Sequence, residues 1–136
     1  MITGECNCGA VAYSAKTEIT DVYICHCSIC RKATGSGNIA VTVIRKDTFT
    51  WVRGEDQITH WSKPGHDWHM GFCKVCGSPL PGENDGERLY IPVGTLTSGH
   101  ENLDVAAHIY TESKAGWEVI GGSAPQFPEG FKPPEN

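Results

Sequence analysis

The strongest constraint in this chain is where its 7 cysteines stand. They fall into three groups. Cys6 and Cys8 are separated by one residue. Cys25, Cys27 and Cys30 lie inside the run Cys25-His26-Cys27-Ser28-Ile29-Cys30. Cys73 and Cys76 are separated by two residues. Gaps this short let the thiols of one segment converge on a point. An odd number of cysteines leaves one over if disulfides form, and clustered cysteines in a reducing compartment are more often metal ligands than bridges. Zinc accepts thiolates at about 2.3 Å in a tetrahedron, closed by four protein ligands in structural sites and open at one corner in catalytic ones. Two pairs and a triplet therefore predict one zinc on Cys6, Cys8, Cys73 and Cys76 and a second on Cys25, Cys27 and Cys30. Spacing alone also admits a grouping in which Cys25 or Cys27 joins Cys8.

The triplet has two readings. In one it is a second structural zinc, its fourth ligand a histidine such as His66, His69 or His108. His26 points away in that reading, because both its neighbours are ligands. In the other the fourth corner takes water or a substrate thiol, and the cation keeps that thiol ionised at neutral pH. Arg31 and Lys32 directly follow the third thiol. They are placed to offset the charge of a thiolate cluster and to hold a substrate carboxylate, although a basic pair is commonly just solvated surface. His60, His66 and His69 form a weaker candidate cluster. Trp51, Trp61 and Trp68 form a candidate aromatic platform, against the plainer reading of aromatics as core.

The remaining sequence supplies the frame. A chain of 136 residues suits a single domain, spanning 1–136. Its net charge of -5 argues against general affinity for nucleic acid or an anionic membrane. No apolar run approaches the roughly 20 residues that cross a bilayer. The start, Met1-Ile2-Thr3-Gly4-Glu5, lacks a basic segment followed by an apolar one, so a cytoplasmic setting is expected. The 16 glycines and 8 prolines imply many turns and little helix. Apolar, β-branched or alternating runs predict strands over 10–15, 21–24, 38–44, 48–52, 57–62, 88–93 and 105–110. One short helix is expected from Ser28 to Thr34, stopped by Gly35. The connector Gly35-Ser36-Gly37 carries amides free to meet a ligand carboxylate. Residues 78–86 and 94–102 read as loops. From about 121 the chain reads as an irregular tail, frayed at its end and pinned by Phe127 or Phe131. The fold class is mostly β, with short antiparallel sheets stapled by metal.

These motifs resemble a known family. Gly4-Glu5-Cys6-Asn7-Cys8-Gly9, then Cys25-His26-Cys27-Ser28-Ile29-Cys30-Arg31-Lys32, then Phe72-Cys73-Lys74-Val75-Cys76-Gly77-Ser78-Pro79-Leu80 are similar to the glutathione-dependent formaldehyde-activating enzymes and their centromere protein V relatives. Gly94-Thr95-Leu96 and the stretch His108 to Trp117 resemble the same family, so the likeness covers nearly the whole chain. It implies an Mss4-like fold of antiparallel sheets. It implies two zinc ions, a structural one on Cys6, Cys8, Cys73 and Cys76 and an open, catalytic one on Cys25, Cys27 and Cys30. The family reaction joins formaldehyde and glutathione into S-hydroxymethylglutathione, formally a carbon–sulfur lyase run in reverse. Glutathione and a small aldehyde are then the expected partners, with Arg31 and Lys32 near the thiol substrate. Met70 and Gly116 stand where many relatives carry arginine and proline. The alternative is a non-catalytic zinc-binding interaction module of the same fold.

Overall fold

The computed structural model describes residues 1–132. Its contacts divide the chain into two compact units: Met1–Thr20 with Thr42–Leu103, and Asp21–Val41 with Asp104–Asn136. Among the described residues twelve strands and one α-helix carry them: β1 Ile2–Glu5, β2 Ala12–Ala15, β3 Asp21–Cys25, α1 Ser28–Thr34, β4 Ile39–Arg45, β5 Phe49–Arg53, β6 Ile58–Ser62, β7 His69–Cys73, β8 Pro79–Leu80, β9 Gly82–Glu83, β10 Arg88–Pro92, β11 Leu96–Ser98 and β12 Asp104–Ile109. The fold is mostly β, as the sequence predicts.

In the first unit an antiparallel sheet runs in the order β11-β1-β2-β5. Its inner face holds Ile2, Tyr13 and Ala15, which pack with Ile19, Ile44 and Ile91. Phe49 stacks on Tyr13 at 5.5 Å between ring centroids, and Trp51 meets Phe49 edge-on at 4.8 Å. A ring trio of this kind buries much apolar area for its residue count, which suits a chain short of aliphatics. The Tyr13 hydroxyl is not stranded, since it hydrogen-bonds Thr95 Oγ1 at 2.6 Å. The order β6-β7-β8 makes a second small sheet, and β9 pairs with β10. Cys6, Val11, Cys73 and Leu80 form a separate buried cluster, with Trp51 and Ile58 against it. Trp51 is thus core. Trp61 and Trp68 meet edge-on at 6.2 Å on the β6–β7 side, with Trp61 exposed.

In the second unit β3 lies between β12 and β4. Its pairing with β4 is antiparallel, but its pairing with β12 is parallel, a departure from the expected antiparallel sheets. A parallel pair needs a long crossover, and the chain between Cys25 and Asp104 is long enough to make one. Helix α1 follows β3 after an interval of two residues and ends where Gly35 takes φ 66°, its amide donating to Arg31 O at 2.8 Å. The segment after Trp117 is irregular but tied down. Phe127 N donates to His108 O at 2.8 Å, His108 N to Pro125 O at 2.9 Å and Tyr110 N to Glu129 O at 2.8 Å. Phe131 packs on Phe127 and on Tyr23. The expected fraying of the last residues lies outside the described residues.

Candidate metal centres

The first centre is built from two tight turns of the first unit. After β1 the chain turns at Cys6–Gly9, with Gly9 N donating to Cys6 O at 3.0 Å. After β7 it turns again, Gly77 N donating to Cys73 O at 2.7 Å with Gly77 at φ 77°, a backbone conformation that glycine adopts without strain. Asn7 N reaches across to Ser78 Oγ at 2.9 Å and fixes one turn on the other. The turns bring Cys6, Cys8, Cys73 and Cys76 together, all four sulfurs within 4.8 Å of one another. A tetrahedron with zinc–sulfur bonds of about 2.3 Å places its sulfurs about 3.8 Å apart. Cys6 and Cys8 are 3.6 Å apart and Cys8 and Cys73 are 3.8 Å apart, so the spacing suits such an ion. Amides already face the sulfurs: Val11 N to Cys6 at 3.3 Å and Ala10 N to Cys8 at 3.4 Å. Donors of this kind stabilise thiolates. The Ser78 hydroxyl, 3.2 Å from Cys76, draws that thiol down to about 5.

The second centre belongs wholly to the second unit. Cys25 ends β3, registered against Ile39 and Ile109. Cys27 is the N-cap of α1, its sulfur accepting from Cys30 N at 3.4 Å. Cys30 is buried in the first turn of that helix. A strand end, a cap and a helix turn thus aim three sulfurs at one place, all within 4.8 Å. Among the described residues no fourth cysteine, histidine or carboxylate joins them.

Three thiols this close cannot all ionise without a countercharge. The Cys25 and Cys30 thiols beside it hold Cys27 far below the ordinary thiol value. Cys27 in turn pushes Cys25 up to about 11, and Cys25 and Cys27 together push Cys30 far higher still. One thiolate and two thiols is what such crowding permits, and a divalent cation is the simplest group that would let all three ionise. The donor set fits zinc.

Around this centre, Arg31 donates through Nη2 to Ser113 O at 3.4 Å, while its Nε is buried without a partner. Lys32 is exposed to solvent. The connector amides expected to be free are in use: Gly35 N binds Arg31 O, and Ser36 N binds Thr34 Oγ1 at 3.2 Å. The carboxylate that approaches Gly37 is the chain's own Glu118.

Sequence reasoning places His26 away from the sulfurs, and it is fully buried in a hydrogen-bonded chain instead. Its Nδ1 lies 2.8 Å from Glu118 Oε2, and its Nε2 lies 2.9 Å from His108 Nδ1. Asn38 Nδ2 donates to the other Glu118 oxygen at 2.6 Å. Burial alone would raise the Glu118 pKa, but the bonds from His26 and Asn38 outweigh it and hold the carboxyl below its ordinary value. An ionised carboxylate only accepts, so His26 carries a proton on Nδ1. Burial, and then the neighbouring His26, lower His108. His26, Asn38, His108 and Glu118 all line the wall of one cavity of about 510 Å³, beside Val105 and Val119. Glu118, Asn38 and Ser78 have no mark in the spacing that would single them out. His60 and His66 lie exposed, and His69 bonds Ser62 and Asp67.

A sequence model of the family described as "Glutathione-dependent formaldehyde-activating enzyme" matches residues 1–113. Among solved structures, the crystal structure of a Rhodobacter sphaeroides protein, a structural-genomics target, is similar with a TM-score of 0.60 at 21% identity, covering 91% of this chain and 98% of that one. A likeness at that identity carries the fold alone.

Proposed function

We propose, for a chain that belongs to the glutathione-dependent formaldehyde-activating enzyme family, a zinc-dependent carbon–sulfur lyase that joins a small aldehyde to a thiol, with formaldehyde and glutathione the leading pair. The observation that carries this reading is the cluster of three thiols with no fourth protein donor beside them among the described residues. In this reading Cys6, Cys8, Cys73 and Cys76 hold a closed, structural zinc, and Cys25, Cys27 and Cys30 hold a second. A zinc ion there would supply an open coordination position at which a thiol ionises or a carbonyl is polarised.

The chain's own residues do the rest. Cys25, Cys27 and Cys30 fix the place of reaction on a strand end and a helix turn, a rigid support. Arg31 follows Cys30 directly, anchored on Ser113 O. A buried donor without an acceptor costs about 1–3 kcal/mol, so the free Nε of Arg31 suits a carboxylate that arrives with the substrate. Its charge, with that of Lys32, offsets the excess negative charge of a thiolate cluster. In the reaction a carbon–sulfur bond forms while the thiol proton ends on the former carbonyl oxygen. Holding thiol and aldehyde together removes the entropic cost of their encounter.

The test is the rate of hydroxymethyl thioether formation from glutathione and formaldehyde, with Cys27→Ser and Arg31→Met variants. Acceleration that Cys27→Ser abolishes and Arg31→Met weakens through KM supports the reading. No acceleration by the zinc-loaded protein, with glutathione leaving the metal undisturbed, overturns it in favour of the interaction module.

A further inference from the structure

We propose that Glu118, acting through His26, is a positioning residue for the centre at Cys25, Cys27 and Cys30, so that the segment after residue 113 is part of that centre. This rests on the reading that the three thiols hold a metal. The family match ends at residue 113, so it assigns nothing to Glu118.

Each of the three sulfurs is held differently. Cys25 is fixed by pairing on both sides of β3, and Cys30 by the helix. Cys27 lies between, in the turn where extended chain becomes helix. The turn residue is His26, whose amide donates to Ile109 O at 3.0 Å. Its side chain does not join the sulfurs, is 1% exposed, and ends on Glu118 at 2.8 Å. The tie spans 92 residues of sequence, so local chain geometry does not impose it.

Glu118 is itself braced. Asn38 holds its second oxygen, Lys114 Nζ donates to its backbone carbonyl at 3.1 Å, and its amide donates to Ala115 O at 3.1 Å. Gly37 makes room for it: a Cβ there would lie 2.9 Å from the Glu118 carboxyl carbon. Glu118 braces the loop residue between two of the sulfurs, one step further out than a partner that bonds a ligand itself, whose loss typically weakens metal affinity about 10- to 100-fold.

The test is a cobalt(II) and zinc titration of wild type, Glu118→Ala and Glu118→Gln, against a competing chelator, with the cobalt absorption spectrum recorded at each step. The four-cysteine centre in the same molecule reports folding of the first unit, and the Glu118→Gln variant controls for the second. Wild type should take two ions. Glu118→Ala should fill the four-cysteine centre normally, bind the second ion about 10-fold or more weaker, and show an altered spectrum for it. Glu118→Gln keeps an acceptor for His26, and Asn38 can turn its amide to accept from the new one, so it should stay close to wild type. Unchanged second-site affinity and spectrum in Glu118→Ala overturns the proposal. So does equal weakening in both variants, which would make the effect one of charge and not of position. A wild type that takes only one ion overturns the metal reading beneath it, a separate result.

Discussion

Replacing Gly37 by alanine should destabilise this chain, although the same change is stabilising where space allows. Gly37 does not use the left-handed backbone region, so alanine is allowed by its dihedrals and reduces the freedom of the unfolded chain by about 0.4–1 kcal/mol. The new Cβ, however, would lie 2.9 Å from the Glu118 carboxyl carbon, 3.1 Å from Oε2 and 3.1 Å from the Trp117 ring. Ordinary carbon contacts begin near about 3.5 Å, so the carboxylate must withdraw by roughly 0.5 Å. It is not free to do so, being held at 2.8 Å by His26 and 2.6 Å by Asn38. Hydrogen bonds to a charged group contribute about 1.5–3 kcal/mol each, and weakening two of them by half costs about 1.5–3 kcal/mol. The loss outweighs the entropic gain, leaving a net destabilisation of about 1–2 kcal/mol. For a chain of this size that lowers Tm by roughly 3–8 °C. Gly116→Ala is the control: nothing lies within 4 Å of its Cβ position, so only the entropic gain remains. Thermal unfolding of the metal-loaded proteins by calorimetry decides it. A Gly37→Ala protein as stable as wild type, or more so, would refute the reasoning that this network is tightly braced.

Other consequences follow from single contacts. Ser78→Ala removes the hydroxyl that takes the Asn7 amide and faces Cys76, and should weaken zinc at the four-cysteine centre about 10-fold or more in chelator competition, while the second centre is unaffected. Burial pushes the Tyr13 hydroxyl up to about 12, so one tyrosine in an alkaline absorbance titration should ionise only there or with unfolding, and Tyr13→Phe should delete that step. His108 and Glu118 are both held below their ordinary values of 6.5 and 4.5. Below those values the unfolded chain binds more protons than the folded one, so both groups contribute stability that is complete above them and lost on acidification. Urea midpoints should therefore fall as pH drops from about 6.5, and His108→Gln should flatten the first part of that fall; an unchanged slope in the variant contradicts the assignment.

The elements that could be read from sequence are those whose signal is local. The β-branched run Ile39 to Ile44 and the helix from Ser28, closed by Gly35, announce themselves in a few residues. The cysteine groups do so through spacing that little else explains. β1 was hidden because Gly4 and Glu5 read as part of a cysteine turn, and β7 because Gly71 interrupts its alternation. β8, β9 and β11 are two or three residues long, formed by pairing and not by propensity. Propensity is also silent on pairing direction, which is how β12 comes to lie parallel to β3. The free amides expected at Gly35 and Ser36 fail for a local reason: the helix end and Thr34 take them first. The tie from His26 to Glu118 was out of reach because it is made by tertiary packing alone. That His26 turns from the sulfurs follows from its neighbours; what it meets does not.

The central claim is that the cysteines divide into a closed set of four and an open set of three. Zinc analysis with X-ray absorption at the zinc edge, before and after adding glutathione, tests it most directly. Two zinc ions per chain are expected, with an average of about 3.5 sulfur neighbours, rising towards about 4 when the thiol occupies the open position. A single zinc per chain with Cys25, Cys27 and Cys30 freely titrating as thiols, or a sulfur count that glutathione leaves unchanged, would contradict it.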